Sequence, residues 1–307
     1  MAFTSRPRTR GTSTHPLRVR TSRRAPWLTA WVASAALLIA PAVAWPGTTL
    51  DRIRDRQAIV FAYRSAAAPF SFAGRDGRVR GYSVELCTRI ADALQRQLKL
   101  RDLRVEWVAV DADTRIDAVA KARADAECGT TTISLSRMER VDFSLPIFVD
   151  GATLAVPART GMRSLKDANG RRVAVIPGTT TERALLSALR VIDATATLVP
   201  IARLEEGAAA VREGRADAYA GDRIVLTKML LESGDGSVSL MADDFSYEPY
   251  AIVVPRDDPE FRLAVNRALV EIYKRGDIDA IFQRWLGPIG RPSALMNAMF
   301  YLSMLPD

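Results

Sequence analysis

Short apolar runs alternate with segments of helical periodicity along most of the chain. Residues 58–63 and 105–110 have the length and composition of buried strands, and residues 84–98 and 114–123 repeat apolar positions with the period of a helix. The same alternation returns later in the chain, with strands at 172–176, 198–201 and 216–220 and helices at 182–189 and 204–213. Strands that alternate with helices predict an α/β protein with largely parallel sheets.

A seven-residue internal repeat, called the echo below, divides this pattern into two similar halves. Residues 123–129 read Arg-Ala-Asp-Ala-Glu-Cys-Gly and residues 215–221 read Arg-Ala-Asp-Ala-Tyr-Ala-Gly, each after an Ala-rich helix. Chance similarity of two helix ends is one explanation, and we favour an internal duplication, which predicts two similar lobes. Threonines at 130–132 follow one strand and Asp222 follows the other. Because ligands bind beyond the carboxyl ends of parallel strands, we expect these residues to line one cleft.

Two strand-like segments that follow turns mark the lobe boundaries. They cover residues 142–157 and 245–255, and we interpret them as hinge strands between the lobes. The first lobe is then discontinuous in sequence, because the chain leaves it and returns. The expected domains are residues 50–150 with 246–287 for the first lobe, 151–245 for the second, and 288–307 for a C-terminal extension.

The C-terminal extension contains an apolar segment at residues 294–305. Its composition predicts an extra helix that packs on the first lobe. An exposed interaction surface is the alternative.

The first 44 residues have the composition of an export signal. Seven arginines and no acidic residue accompany an apolar run at 27–44, which ends in Ala42-Val43-Ala44, a small-x-small cleavage pattern. The apolar core is shorter than the roughly 20 residues that span a bilayer, so we expect cleavage near Ala44 rather than an uncleaved anchor. The mature protein is then periplasmic, and the leader leaves Sec and twin-arginine export open.

Removing this leader changes what the overall charge implies. The chain has a formal net charge of +8, from 43 Lys and Arg against 35 Asp and Glu. Seven of the arginines and the only histidine, His15, lie in the leader, which leaves 36 basic and 35 acidic residues. This balance excludes nucleic-acid binding through a basic face, and the lack of histidine excludes His-based triads, His-ligated zinc and haem. We therefore expect no metal and no cofactor.

Two cysteines, Cys87 and Cys128, remain after export. An oxidising compartment permits a disulfide between them. Whether their Cα atoms are close enough is not visible in the sequence, so a disulfide and two buried free thiols stay equally open.

Four features could hold a small charged ligand. Segment 178–182 has the spacing of a capping box at a helix start, where free N–H groups attract anions, although an ordinary capped helix also explains it. Arg137 lies beside several hydroxyl residues and could hold a carboxylate, or it could be solvated on a surface helix. Asp222 could accept a hydrogen bond from an ammonium group or cap the next helix. Arg64 could be a second carboxylate clamp or a surface arginine.

These residues resemble the solute-binding proteins of polar amino-acid ABC transporters, bacterial solute-binding protein family 3, over residues 55–287. The motifs that carry the resemblance are Ala68-Pro69-Phe70-Ser71-Phe72, Gly81-Tyr82-Ser83-Val84-Glu85-Leu86, Arg137 with Val141-Asp142-Phe143-Ser144, Gly178-Thr179-Thr180, and Gly214-Arg215-Ala216-Asp217-Ala218 leading to Asp222. The chain looks most similar to the glutamate/aspartate-binding branch, through Arg64, Thr114-Arg115-Ile116, residues 127–132 and Glu248-Pro249-Tyr250. The resemblance implies a type II periplasmic-binding-protein fold, with two Rossmann-like lobes joined by two hinge strands.

The resemblance also implies which residues hold the α-amino and α-carboxyl groups of the ligand. Arg137 matches the arginine that pairs with the α-carboxylate. Thr130 and Thr132 match hydroxyl and backbone partners near the same ligand. Thr180 matches a threonine of the second lobe that donates to the carboxylate, and Asp222 matches the acid that accepts from the α-ammonium.

At the other end of the ligand, Arg64 matches the partner of a side-chain carboxylate, and Arg115 is a second candidate for that role. The branch that binds basic amino acids has two stacking aromatic residues where this chain has Ala67 and Ala112. An arginine at position 64 would also repel a basic ligand. The ligand implied by the resemblance is therefore acidic.

The function implied is binding of glutamate or aspartate by closure of the two lobes. The loaded protein, a monomer, would deliver its ligand to an ABC transporter permease in the inner membrane, and it would not be an enzyme. Two alternatives stay open. One is a periplasmic enzyme on the same fold, similar to cyclohexadienyl or arogenate dehydratase, and the other is a ligand-sensing protein.

Overall fold

The computed structural model describes residues 48–234 and 236–306. The predicted export signal at residues 1–44, with its cleavage near Ala44, lies outside the described residues. Within the two described ranges, no helix is long and apolar enough to cross a membrane.

Helices and strands alternate through most of the described chain. The helices are α1 (Thr49–Arg56), α2 (Tyr82–Gln97), α3 (Arg115–Ala120), α4 (Leu135–Met138), α5 (Thr180–Val191), α6 (Leu204–Arg212), α7 (Arg223–Ser233), α8 (Pro259–Lys274), α9 (Asp277–Leu286) and α10 (Ala294–Leu302). The strands are β1 (Ala58–Arg64), β2 (Ala66–Ala67), β3 (Ser71–Ala73), β4 (Val79–Arg80), β5 (Arg104–Val110), β6 (Ala126–Glu127), β7 (Val141–Asp150), β8 (Ala152–Pro157), β9 (Arg171–Val175), β10 (Ala196–Pro200), β11 (Ala218–Asp222), β12 (Val238–Leu240) and β13 (Glu248–Pro255).

Two five-stranded sheets of the same topology form the framework. The first has the order β5-β1-β6-β13-β7, in which β1 is parallel to β5 and β6 while β13 is antiparallel to β6 and β7. The second has the order β10-β9-β11-β8-β12, in which β9 is parallel to β10 and β11 while β8 is antiparallel to β11 and β12. Each sheet is therefore parallel except for its fourth strand, and the predicted α/β class is confirmed.

The sequence echo corresponds to the same place in each sheet. β6 and β11 are both the third strand of their sheet. Asp125, just before β6, accepts a hydrogen bond from the backbone N–H of Val60 at 2.9 Å. Asp217, just before β11, accepts one from the N–H of Arg172 at 2.9 Å. The two copies make equivalent contacts with a neighbouring parallel strand, which favours duplication over chance similarity.

The helix predicted at 114–123 is shorter in the structure, where α3 ends at Ala120. Ala122 has a φ of 52°, in the left-handed region, and the N–H groups of Arg123 and Ala124 both donate to the carbonyl of Ala118. A left-handed residue cannot continue an α-helix, so the chain turns here into β6.

The chain crosses between the two sheets twice. β7 ends at Asp150 in the first sheet, and after Gly151 the chain continues as β8 in the second. It returns through residues 241–247, between β12 and β13. Two sheets joined by two crossings form two lobes, here called the first lobe and the second lobe after their sheets.

The larger hydrophobic core lies in the first lobe, where α2, α8 and α9 pack together beside the first sheet. The C-terminal helix α10 adds the buried side chains of Met296 and Phe300 to this core and contacts β7. The second lobe has two smaller apolar clusters, of which one includes Leu185 and the other Tyr219.

Cys87 of α2 and Cys128, directly after β6, form a disulfide, with an S–S distance of 2.04 Å and a Cα–Cα distance of 6.3 Å. Of the two states that the sequence leaves open, the structure contains the bonded one. The bond ties α2 to the strand end that leads into the threonines at 130–132.

Candidate functional site

A small cavity of about 40 Å³ lies between the two lobes. The first lobe contributes the carboxyl end of β1 and the start of α3 to its wall, and the second contributes the end of β11 and the start of α5. Five of the seven predicted site residues line this cavity: Arg64, Arg115, Thr130, Thr180 and Asp222. Both lobes therefore present charged and hydroxyl groups to the same space, as expected at the carboxyl ends of parallel strands.

Two arginines supply the positive charge of the cavity wall. Arg64 ends β1, and Arg115, which is 3% exposed, begins α3 and donates to the carbonyl of Thr130 at 3.4 Å. Burial and the neighbouring charge of Arg115 lower the pKa of Arg64 to about 10. A backbone carbonyl thus holds Arg115, and Arg64 remains protonated at neutral pH.

A buried carboxylate lies close to these arginines. Glu127 of β6 is fully buried, which raises its pKa, while the charges of Arg115 and Arg64 act in the opposite direction. A Cβ added at Gly129 would lie 2.1 Å from an oxygen of Glu127, so a glycine is needed there. The carboxyl group of Glu127 therefore lies behind the cavity wall, close to Arg64 and Arg115.

Asp222 supplies the negative charge on the side of the second lobe. Its Oδ1 accepts from the hydroxyl of Thr181 at 2.9 Å, and its Oδ2 accepts from the hydroxyl of Tyr250 at 2.6 Å. Tyr250 also lies 3.3 Å from Oδ2 of Asp150, where β7 leaves the first sheet. Burial and the nearby charge of Asp222 raise the pKa of Asp150 to about 8. The carboxyl groups of Asp150 and Asp222 and the hydroxyl of Tyr250 thus lie together, near the point where the chain crosses between the sheets.

Thr132 and Arg137 lie beside the cavity rather than in its wall. The hydroxyl of Thr132 is 3.1 Å from that of Thr180 and donates to Oε2 of Glu248 at 2.5 Å. Arg137 donates from Nη1 to the carbonyl of Thr132 at 2.7 Å. Burial and the charge of Arg115 lower the pKa of Arg137 to about 9. Its guanidinium thus supports the backbone that carries Thr132.

The helix start at 178–182 makes one of the two contacts of a capping box, and the glutamate contact goes to Gly178 rather than to Thr179. Thr179 accepts from the N–H of Glu182 at 3.1 Å, and the Glu182 carboxylate accepts from the N–H of Gly178 at 2.7 Å. The next two residues, Thr180 and Thr181, line the cavity. The cap therefore fixes the start of α5, where the hydroxyl of Thr180 contacts Thr132 of the first lobe and that of Thr181 donates to Asp222.

Three residues at or near the cavity are not among the site residues proposed from the sequence: Glu127, Asp150 and Tyr219. Their contacts join segments far apart in the chain. The internal echo gives one signal that could have found two of them, because Glu127 and Tyr219 occupy the position where its copies differ in charge. Across residues 48–234 and 236–306, no group of three or more His, Cys, Asp or Glu residues could hold a metal ion.

Residues 59–288 match the family described as bacterial extracellular solute-binding proteins, family 3. The chain belongs to this family. The L-glutamate/L-aspartate-binding protein of Pseudomonas aeruginosa is 32% identical, over 86% of this chain and 88% of its own length. The glutamate/aspartate import solute-binding protein of Salmonella typhimurium is 29% identical, over 84% and 85%.

Solved structures of similar proteins have the same two-lobed architecture as this family 3 protein. An ancestral amino acid-binding protein, a precursor of cyclohexadienyl dehydratase, matches it with a TM-score of 0.69 and 28% identity, over 78% of this chain and 99% of that one. The type II fold predicted from the resemblance is confirmed. For a solute-binding protein, a cavity between the lobes that gathers convergent charged and hydroxyl groups is the candidate solute site.

Proposed function

We propose that the protein binds an acidic amino acid, glutamate or aspartate, between its lobes and delivers it to an ABC transporter permease. The observation that carries this proposal is the charge of the cavity wall. Arg64 and Arg115 bring two positive charges, and Asp222 brings one negative charge. Glutamate and aspartate carry two carboxylates and one ammonium group, so the net charge of the cavity wall is opposite in sign to that of the ligand. A buried charge without a partner would cost several kcal/mol.

The α-carboxylate of the ligand is assigned to the hydroxyl group of Thr180, which lines the cavity, with Thr132 directly beside it. Arg137, behind Thr132, adds positive charge on this side of the site, and Thr130 lies on the same segment of the first lobe. The ammonium group is assigned to Asp222, whose oxygens have lone pairs left beyond the two hydroxyl donors.

The side-chain carboxylate of the ligand is assigned to Arg64 and Arg115. The two guanidinium groups lie close enough for the charge of Arg115 to lower the pKa of Arg64. An added carboxylate relieves this like-charge repulsion, whereas the neutral amide of glutamine or asparagine does not. The arginine pair therefore discriminates acids from amides.

The relatives support the same ligand and a role in import. The Pseudomonas aeruginosa relative is a binding protein for L-glutamate and L-aspartate, and the Salmonella typhimurium relative is an import solute-binding protein. We infer that this chain is exported to the periplasm, loses its leader near Ala44 and works there as a monomer. Closure then moves residues 151–245 against a first lobe made of residues 50–150 and 246–287.

Isothermal titration calorimetry of protein purified from the periplasm tests the ligand. Glutamate and aspartate are expected to bind at least about tenfold more tightly than glutamine and asparagine, because only the acids pair with both arginines. Arginine is expected not to bind. Glutamine that binds as tightly as glutamate would overturn the acidic-ligand proposal.

We further infer that the protein is not an enzyme. Among the described residues of the cavity wall, Asp222 is the one carboxylate, and it already accepts two hydroxyl hydrogen bonds. Acid–base catalysis needs a group positioned to exchange a proton with its substrate. Turnover of prephenate or arogenate by the purified protein would overturn this inference.

A further inference from the structure

Tyr219 brings an unused hydroxyl group to the cavity. It is the second residue of β11, its side chain is 0% exposed, and it lines the cavity wall. Its hydroxyl has no hydrogen-bond partner among the described residues. A buried hydroxyl without a partner is unfavourable, and buried polar groups are nearly always paired. Three other fully buried tyrosines each donate to an oxygen: Tyr82, Tyr250 and Tyr273.

Three charged residues act on the hydroxyl of Tyr219. Burial and the charge of Asp222 raise the pKa of Tyr219, Glu205 acts in the same direction, and Arg64 acts against them. Glu205 lies in the first turn of α6, Asp222 ends β11, and Arg64 belongs to the first lobe. Two of these charges, Arg64 and Asp222, belong to the wall of the cavity between the lobes. Because its pKa is raised, the phenol stays protonated and can donate at neutral pH.

The position of the ring is fixed by helix α6. A Cβ added at Gly207 would lie 2.5 Å from Cδ1 and Cε1 of Tyr219, so the ring packs directly on the helix backbone. This contact orients the ring without help from the hydroxyl. A donor that is already held in place loses little conformational entropy when a ligand binds.

The internal echo places Tyr219 at the position that Glu127 occupies in the first lobe. Both side chains are fully buried on the third strand of their sheet, and the charge of Arg64 acts on both. Each lobe thus places one polar group at the same strand position, where the charge of Arg64 acts on it. In the first lobe that group is a carboxyl, and in the second it is a hydroxyl.

We propose that the Tyr219 hydroxyl donates a hydrogen bond to the side-chain carboxylate of the bound amino acid, beside Arg64. This assignment rests on the proposed function, since it requires an acidic ligand. Hydrogen bonds to charged acceptors are stronger than those to neutral ones, so the contact favours a carboxylate over a carboxamide. Tyr219 is then a specificity-determining residue of the second lobe.

Calorimetry of the Tyr219→Phe variant tests the assignment, because this change removes the hydroxyl and keeps the ring on Gly207. The affinity for glutamate is expected to fall at least about tenfold, and that for glutamine less. The melting temperature of the ligand-free variant should stay equal to or rise above that of the wild type, because an unpaired buried hydroxyl is removed.

Tyr273→Phe is the matched control. Tyr273 is buried in the first lobe and donates to the carbonyl of Pro146 at 2.9 Å, away from the cavity. Its loss should lower the melting temperature of the ligand-free protein and leave glutamate affinity unchanged. A Tyr219→Phe variant that binds glutamate within about twofold of the wild type overturns the Tyr219 assignment alone. Wild-type protein that binds no acidic amino acid overturns the proposed function together with it.

Discussion

The hydroxyl oxygens of Thr132 in the first lobe and Thr180 in the second lie 3.1 Å apart, so the two lobes touch across the cleft. Tyr250 of the first lobe also donates to Asp222 of the second at 2.6 Å. Leu204 of the second lobe packs against the core of the first. The structure is therefore a closed arrangement, and a ligand that contacts both lobes shifts the population toward it.

Arg64→Ala should weaken acidic ligands selectively. The substitution removes one of two cations assigned to the side-chain carboxylate, so glutamate and aspartate lose at least about tenfold more affinity than glutamine and asparagine. Calorimetric titration with the four amino acids measures the difference. Arg78→Ala is the control, since the side chain of Arg78 is 81% exposed and should affect no ligand. Equal losses for acids and amides would refute the role of Arg64.

Asp222→Asn should weaken ligands that carry an amino group. The amide keeps an oxygen that can accept from Tyr250 or Thr181, but it loses the charge that balances an ammonium. Glutamate affinity is expected to fall at least about tenfold, while that of glutarate, which lacks the amino group, should hold or improve. Competition titration of both compounds gives the comparison. A parallel fall for both would contradict the assignment of the ammonium to Asp222.

The fold and much of the cavity wall follow from local sequence signals. Arg64, Arg115 and Asp222 lie where strands end or helices begin, and the apolar pattern fixes those points. The echo at Asp125 and Asp217 also anticipates the shared topology of the two sheets.

Local sequence signals do not predict which groups the longer side chains contact. Tyr250 and Asp150 are 100 residues apart and meet only after both crossings are formed. Arg137 has the sequence context of a ligand-facing residue, yet its side chain donates to the carbonyl of Thr132 beside the cavity. The direction of this side chain depends on its torsion angles, which sequence spacing does not determine. The echo singles out position 219 in the sequence, but only the structure shows that the hydroxyl of Tyr219 has no partner among the described residues.

Removing the disulfide should lower stability without changing the fold. The bond between Cys87 and Cys128 joins residues that are 41 apart in sequence. Because the bond restricts the unfolded chain, its removal should lower the free energy of unfolding by about 4 kcal/mol. Urea unfolding of a Cys87→Ala/Cys128→Ala variant measures this loss. Dithiothreitol should reproduce it in the wild type and have no effect on the variant. Unchanged stability would mean that the bond does not form in the isolated protein.

Stability should fall as pH rises because of Asp150. Its pKa is about 8 in the folded protein and about 3.9 in an unfolded chain, so between these values the native state holds a proton that the unfolded state has released. Unfolding free energy then decreases by at most about 1.4 kcal/mol per pH unit across the window and levels off above pH 8. Asp150→Asn should flatten this slope, measured by urea unfolding from pH 5 to 9. Asp257→Asn, at a side chain 91% exposed, should leave it unchanged.

The C-terminal helix should contribute to the stability of the first lobe through one face only. Phe300 is 4% exposed and its ring lies 5.3 Å from that of Tyr273, whereas the neighbouring Tyr301 is 74% exposed. Phe300→Ala should therefore destabilise the protein by about 3–5 kcal/mol, through lost burial and the cavity that remains. Tyr301→Ala, on the exposed face, should change stability by less than about 0.5 kcal/mol. Urea unfolding of both variants makes the comparison, and equal small effects would show that α10 is not packed on the first lobe in solution.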